Sequence, residues 1–485
     1  MIAPLAVARD MAKGTYSRML VASRDRATLV LADLFKSAIK LGLDIMTLIP
    51  DKPFESFVYQ ELHRNINYPE GADFLAKMLV LFKKRFGELH PNVRKRFAEA
   101  FIYNHMIAAT KKRTEVQKRL KAPKRLGTVV ISPTMRCNLK CVGCYSANYK
   151  KKDKISPKEL DRIVTELKEQ LGIHYIVLSG GEPFLRDDLF DLLSKHQDVL
   201  FMSYTNGTLI YDKKLAPKLA ELGNLVPCIS VEGFAEETDR RRGKGVFKKI
   251  VGAMTQLRNE GVLFGFSATP MRHNNELLVS DEFVDFYTDL GCFIGWYFNY
   301  MPLGRSPDLS LMPTPEQRLY RYERVRELRK TKDILLADFW CDGALVGGCL
   351  SAGNSYFHIN ADGGIEPCVF NQFWVDTIFD KPLIEALDST YYQFLRKKLR
   401  DVDNPLRPCP IIDRPQIVRE AWKRYHPKPA QKGGEKIVTE FAKPLDDYAK
   451  RLKEIFDPVW ERDKPEGYGP RAQDGVIRGN GSGTN

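Results

Sequence analysis

The stretch MRCNLKCVGCYSANY at residues 135–149 decides the reading of this chain, because it spaces Cys137, Cys141 and Cys144 as C-x3-C-x2-C. It comes directly after TVVISP (128–133), a β-branched run that predicts a strand. Three thiols gathered at the end of one strand call for a metal. A structural zinc closes its shell with four ligands, and a fourth cysteine or histidine is missing nearby. Three thiolates suit an iron–sulfur cubane instead, leaving one iron open to a further molecule.

Outward from this stretch the pattern alternates. Apolar, β-rich runs predict strands near 174–179 (HYIVLS), 199–205, 225–231, 262–269 and 293–300. Helical periods lie between them, near 156–171, 186–196, 213–222, 245–260 and 279–290. Six strands separated by helices imply an α/β fold with a parallel sheet and right-handed crossovers, a partial (β/α)6 TIM-like barrel. Reactive groups then collect at the carboxyl ends of its strands. The expected organisation is a basic α-helical domain over 1–126, the barrel core over 127–305, a small cysteine-bearing domain over 306–412, and a C-terminal helix and tail over 413–485. The tail, GYGPRAQDGVIRGNGSGTN, is Gly-rich without apolar periodicity, and disorder is expected there.

A C-x3-C-x2-C motif followed by the aromatic Tyr145, on the loop after strand one of such an array, resembles the radical S-adenosylmethionine (radical SAM) superfamily. The resemblance covers roughly residues 127–305. It implies that Cys137, Cys141 and Cys144 hold a [4Fe-4S] cluster whose open iron chelates the amino and carboxylate groups of S-adenosylmethionine. An electron from a donor such as flavodoxin or ferredoxin would then split that cofactor to a 5′-deoxyadenosyl radical, which takes hydrogen from an unactivated C–H bond. The cofactor, rather than any side chain, supplies the hard chemistry.

Three further segments match. Ser179-Gly180-Gly181-Glu182-Pro183 resembles the family's GGEP motif, whose backbone and glutamate meet the methionine amino group. Ser230-Val231-Glu232-Gly233 and Thr238-Asp239-Arg240-Arg241-Arg242-Gly243 resemble segments in which a hydroxyl and a carboxylate meet the ribose and an arginine pairs with the methionine carboxylate, a charge-assisted bond. Arg242 is the preferred arginine because Gly243 follows it. Asn206, within TNGT at 205–208, joins them. At the ends of strands five and six, Thr269, Arg272, His273, Tyr297 and Tyr300 are candidates for substrate contact. His273, Tyr297 and Tyr300 are placed for the reacting end and Thr269 for the cofactor as well.

Beyond the barrel, Cys349-x18-Cys368 encloses Gly363 in HINADGGIEPCVF. This resembles the auxiliary-cluster domain called SPASM, or its shortened twitch form. The full pattern has seven cysteines; here Cys341, Cys349, Cys368 and Cys409 follow the barrel, enough for one auxiliary [4Fe-4S] cluster with an electron-transfer role. A structural zinc is the alternative, since four thiolates suit that ion equally well. Cys228 and Cys292 sit at strand positions and are expected to be inert core residues.

The chain has 485 residues, 44% of them apolar, nine cysteines and a formal charge of +14. That composition excludes a disordered polycation and a disulfide-dense secreted scaffold, and the sequence opens without a secretory pattern, so a cytoplasmic location is expected. Residues 1–127 hold 24 Lys and Arg against 12 Asp and Glu, and the remainder of the chain nets only +2. A basic front segment wants a polyanion, either nucleic acid or an anionic membrane surface. Its run at 26–49 (RATLVLADLFKSAIKLGLDIMTLI) predicts an apolar helix with one polar stripe, whose charges exclude a membrane span and fit a bundle or a peripheral membrane location. Two substrate contexts compete, a lipid acyl chain drawn from a membrane and a ribosomally made peptide. RNA modification is a third, raised by charge alone. The reading from another class is a non-enzymatic iron–sulfur or zinc sensor.

Overall fold

The computed structural model describes residues 49–65, 69–400 and 402–464. The apolar helix expected at 26–49, apart from its last residue, and the Gly-rich tail lie outside the described residues.

Strands β1 (Val129–Thr134), β2 (Tyr175–Gly180), β3 (Leu200–Thr205), β4 (Leu225–Val231), β5 (Gly265–Ala268), β6 (Ile294–Tyr297) and β7 (Leu335–Asp338) pair in parallel with their sequence neighbours. All six residues of β1 are buried, as expected of a parallel strand covered on both faces. Two two-residue strands, β8 (His358–Ile359) and β9 (Ile365–Glu366), extend the sheet past β1. The order β7-β6-β5-β4-β3-β2-β1-β8-β9 leaves the sheet open between its two end strands, so the barrel is partial.

The helices form where the sequence gives them boundaries. Helix 157–171 starts at Ser156, whose side chain accepts from the Glu159 N–H, has Pro157 in its first turn, and ends at Gly172 with φ of 68°. Its Leu160, Ile163, Val164, Leu167 and Leu171 recur at helical spacing and are buried in the core, each contributing roughly 1.5–3 kcal/mol. The helix expected near 213–222 runs over 216–222, with a separate short helix at 208–212 before it, the two parted where Lys214 adopts φ of 49°. The sequence reading missed β7, whose three apolar residues and Asp338 belong to a short run closely preceded by Lys332 and Asp333.

Helices Asp51–Asn65, Pro69–Phe86, Pro91–Arg96 and Thr110–Leu120 precede the barrel. From Pro91 the chain is α-helical to Arg96 and π-helical over Phe97–Ala108. That segment lies against the amino ends of β2 and β3. The Phe101 ring meets the Tyr175 ring edge-on at 5.4 Å, and Asn104 donates to the Asp198 carbonyl at 3.1 Å. At the other edge, Gly127 and Val130 donate to the carbonyls of Ser355 (2.8 Å) and Phe357 (2.9 Å). The second cysteine segment is thereby stitched to β1, and the sheet takes strands from both sides of residue 305.

Candidate active site

The turn after β2 fixes the cysteine loop. Gly181 and Glu182 donate their N–H groups to the carbonyls of Thr134 (2.9 Å) and Arg136 (2.8 Å). A Cβ on Gly180, whose φ is +109°, would lie 2.4 Å from the Thr134 carbonyl oxygen, and one on Gly181 would lie 2.0 Å from that of Arg136. Both contacts are impossible, so these glycines let two backbones meet.

Donors and cations surround the three sulfurs. Cys137 Sγ accepts from the Leu139 N–H at 3.4 Å and from Asn206 Nδ2 at 3.9 Å, and Cys144 Sγ lies 3.5 Å from Ser146 Oγ. Burial pushes the Cys137 thiol up to about 11, with the Glu182, Cys141 and Cys144 charges adding to it. Burial disfavours the Arg242 charge, but Glu232 together with Cys141 and Cys144 more than offsets this and raises it. Three thiols on one loop beside the buried Arg242 make a donor set that fits an iron–sulfur cluster. Among the described residues no three Cys, His, Asp or Glu side chains converge on a point suited to one metal ion.

A cavity of about 920 Å³ opens beside this loop, near the upper end of the ~300–1,000 Å³ typical of small-molecule sites. Tyr145, Ser179, Gly180, Gly181, Asn206, Ser230, Arg242 and Thr269 line it, as does Tyr300. Tyr145 and Ser179 share a hydrogen bond of 3.2 Å between their hydroxyls.

Two expected cofactor contacts stand behind the wall instead. Glu182 accepts from Thr205 Oγ1 (2.8 Å), the Asn206 N–H (2.8 Å) and the Phe184 N–H (3.2 Å), tying the end of β2 to that of β3. Burial pushes its carboxyl up to about 7 against those donors. Glu232 pairs with both Arg241 and Arg242, taking Arg242 Nε at 2.9 Å. Arg241 also donates to the Val142 carbonyl at 3.2 Å, so one carboxylate orients both arginines at the cavity edge.

The candidates for the reacting end are corrected as well. Tyr297 is fully buried in the core, away from the cavity, and its hydroxyl donates to the Leu278 carbonyl at 2.8 Å. Strand alternation explains this, since its neighbours Trp296 and Phe298 point the other way, line the cavity and stack at 5.8 Å. His273 and Arg272 are exposed and do not line it. Counting parity along β6 from the cavity-facing residue would have found Trp296.

Cys349, Cys368 and Cys409 line the same cavity. Burial pushes Cys368 up to about 12, with Cys349 next in effect; burial also raises Cys409, with Asp413 and Cys349 adding. The expected fourth member, Cys341, is buried elsewhere, among Tyr322, Ala344 and Leu406. Cys228 and Cys292 are fully buried core residues, as expected.

The cavity's remaining walls are mainly apolar, with Val130, Val177, Met202, Trp296, Phe298 and Phe339 prominent. Its far end includes Thr128 and Tyr175, at the amino ends of β1 and β2, and Phe74 and Leu75 of helix 69–86. The space therefore runs through the barrel.

Comparison with known proteins follows the same residues. Residues 131–278 match the family model for the Radical SAM superfamily. The chain is 31% identical over 228 residues to Fe-coproporphyrin III synthase of Methanosarcina barkeri, covering 44% of this chain and 56% of that protein. It is 32% identical over 252 residues to the mycofactocin maturase MftC of Mycolicibacterium smegmatis, covering 49% and 62%. The chain thus spans about three fifths of the length of these relatives. The structure of Streptococcus suis SuiB bound to S-adenosylmethionine superposes with a TM-score of 0.50 at 20% identity, over 62% of this chain and 75% of that one, a likeness of fold. Among the described residues no helix is long and apolar enough to cross a membrane.

Proposed function

We propose that this chain, which carries a radical SAM domain followed by a SPASM/twitch-like auxiliary segment, is an enzyme that abstracts hydrogen from an unactivated C–H bond of an apolar substrate. The observation that carries this reading is the meeting of two cysteine groups, Arg242 and a long, largely apolar space in one cavity. A [4Fe-4S] cluster held by Cys137, Cys141 and Cys144 would supply, together with S-adenosylmethionine, the carbon-centred radical for that step. The chain's own residues do the rest. Arg242, held by Glu232, presents a guanidinium to a carboxylate at the cavity edge. The Tyr145 and Ser179 hydroxyls and Asn206 offer polar contacts beside it, and the Gly180–Gly181 backbone holds the cysteine loop in place. Trp296, Phe298, Met202 and Val177 exclude water and hold an apolar chain by contact alone.

Among substrates, a lipid acyl chain is the one this lining favours, and the basic front segment supports a source at an anionic membrane surface. A second reading, a precursor peptide, draws on the likeness of fold to Streptococcus suis SuiB, whose structure was solved bound to precursor peptide SuiA. An electron donor such as flavodoxin or ferredoxin is required by either.

Anaerobically reconstituted protein, reduced with dithionite, is expected to release 5′-deoxyadenosine from S-adenosylmethionine, and the Cys141→Ala variant to release none. Failure of the unaltered protein to do so overturns the enzyme reading. Deuterium carried into 5′-deoxyadenosine from a perdeuterated acyl lipid supports the lipid assignment, whereas transfer only from a deuterated peptide replaces it. Full-length protein is expected to float with anionic vesicles, and failure to bind them counts against a membrane source.

A further inference from the structure

We infer that the auxiliary site is built from three thiolates, Cys349, Cys368 and Cys409, without Cys341, and that the iron left open there faces the cavity and takes an oxygen, nitrogen or sulfur donor of the substrate. The inference rests on the iron–sulfur reading above and differs from the four-cysteine set that the sequence alone suggests.

Three observations carry it. First, Cys349, Cys368 and Cys409 all line the cavity that also receives Cys137, Cys141 and Cys144, whereas Cys341 does not. Six cysteines thus face one space as two groups of three.

Second, the three sulfurs belong together. Tyr356 lines the cavity together with all three, and it packs with Cys368 in one apolar cluster that Cys409 also joins. Donors also point at each sulfur, as at cluster ligands. The Asn371 N–H reaches Cys368 Sγ at 3.0 Å, the Ile411 N–H reaches Cys409 Sγ at 3.4 Å, and Ser351 Oγ lies 3.0 Å from Cys349 Sγ.

Third, Cys341 is turned away. Its Sγ lies 4.0 Å from the Arg318 carbonyl, in an apolar patch with Tyr322 and Leu406 that also takes in Phe456 and Trp460 of helix 442–463. The carboxylates closest in sequence to these cysteines are already committed: Glu366, two residues from Cys368, lies 2.6 Å from His358 Nδ1 and accepts from the Tyr149 hydroxyl at 3.1 Å. Asp413 binds Arg318 at 2.6 Å and the Cys409 N–H at 2.9 Å, and Asp342 is held by Arg329 and the Asp338 N–H. With three thiolates, one iron of a four-iron cubane keeps a coordination position for an outside lone pair. Filling it is a donation to iron with no change in electron count.

Iron and sulfide counts with Mössbauer and EPR spectra of the anaerobically reconstituted chain test this. About eight irons per chain are expected in the unaltered protein and in Cys341→Ala, and about four in Cys349→Ala, Cys368→Ala or Cys409→Ala. Loss of about four irons from Cys341→Ala, or only four in the unaltered protein, overturns the inference. A second measurement does not depend on how those variants fold. In the variant with Cys137, Cys141 and Cys144 all changed to Ala, cyanide or imidazole is expected to shift the EPR spectrum of the remaining reduced cluster. An unshifted spectrum means a closed shell and overturns the open position. Neither readout uses 5′-deoxyadenosine, so failure here and failure of the enzyme reading are separately visible.

Discussion

The buried ion pair Arg318–Asp413 gives the most demanding prediction. Both side chains are fully buried, 2.6 Å apart, and Asp413 also accepts the Cys409 N–H at 2.9 Å. The Arg318 guanidinium lies over the Phe456 ring at 5.7 Å, so the pair joins helix 315–331, the C-terminal helix and the segment bearing Cys409. Replacing Arg318 with Met removes one charge and strands the other in a medium that cannot solvate it, a loss of about 3–5 kcal/mol against about 1 for an exposed pair. For the compact unit Pro50–Asn485, roughly 440 residues, an unfolding entropy of about 2.1 cal/mol/K per residue makes this a fall of about 3–5 °C in the thermal midpoint. Adding Asp413→Asn removes the stranded charge, and the double variant is expected to regain at least half of that fall. Differential scanning calorimetry of the three proteins under one reconstitution protocol measures both effects. A single variant within about 1 °C of the parent, or a double variant no better than the single, would refute the reasoning.

Gly181→Ala places a methyl group 2.0 Å from the Arg136 carbonyl oxygen; because the clash is with backbone, the cysteine loop must move, and 5′-deoxyadenosine formation is expected to drop at least ~100-fold while circular dichroism stays unchanged. The Glu182 carboxyl titrates at about 7 when folded against an ordinary 4.5, so between those values the native state binds more protons than the unfolded one and stability falls as pH rises, by at most about 3 kcal/mol. The thermal midpoint from pH 5 to 8 is therefore expected to slope downward in the parent and less steeply in Glu182→Gln; an equal slope rejects the assignment. Tyr297→Phe removes one buried hydrogen bond and is expected to cost about 1–3 kcal/mol with 5′-deoxyadenosine formation unchanged, whereas Trp296→Ala should lower coupled substrate turnover and leave uncoupled cofactor cleavage in place.

Much of the barrel was legible because its strands are apolar runs punctuated by turn residues, and because Cys137, Cys141 and Cys144 sit on a loop whose position follows from strand order. The cavity-lining residues Ser179, Asn206 and Ser230 were legible for the same reason, since they lie at or beside strand ends. The rest depended on side-chain direction. Tyr297 and Trp296 are adjacent in sequence and point to opposite sides of the sheet, and Glu182 and Glu232 bind protein groups that local spacing does not reveal. Cys341 and Cys349 are eight residues apart, yet the turn at 343–346 between them separates their sulfurs. Two-residue strands such as β8 carry no periodicity at all; only pairing with β1 defines them.

Helix 69–86 forms part of the cavity's far wall through Phe74 and Leu75. Whatever fills that end is in equilibrium with the helix as well as with the barrel. A ligand bound only when the helix is docked stabilises the docked state by RT ln(1 + [L]/Kd), about 2.7 kcal/mol at a hundredfold excess over Kd. The front helices would thereby report occupancy, their amides exchanging more slowly in proportion to how full the cavity is. Coupling of this kind makes retention of a substrate and order in the front segment a single thermodynamic quantity.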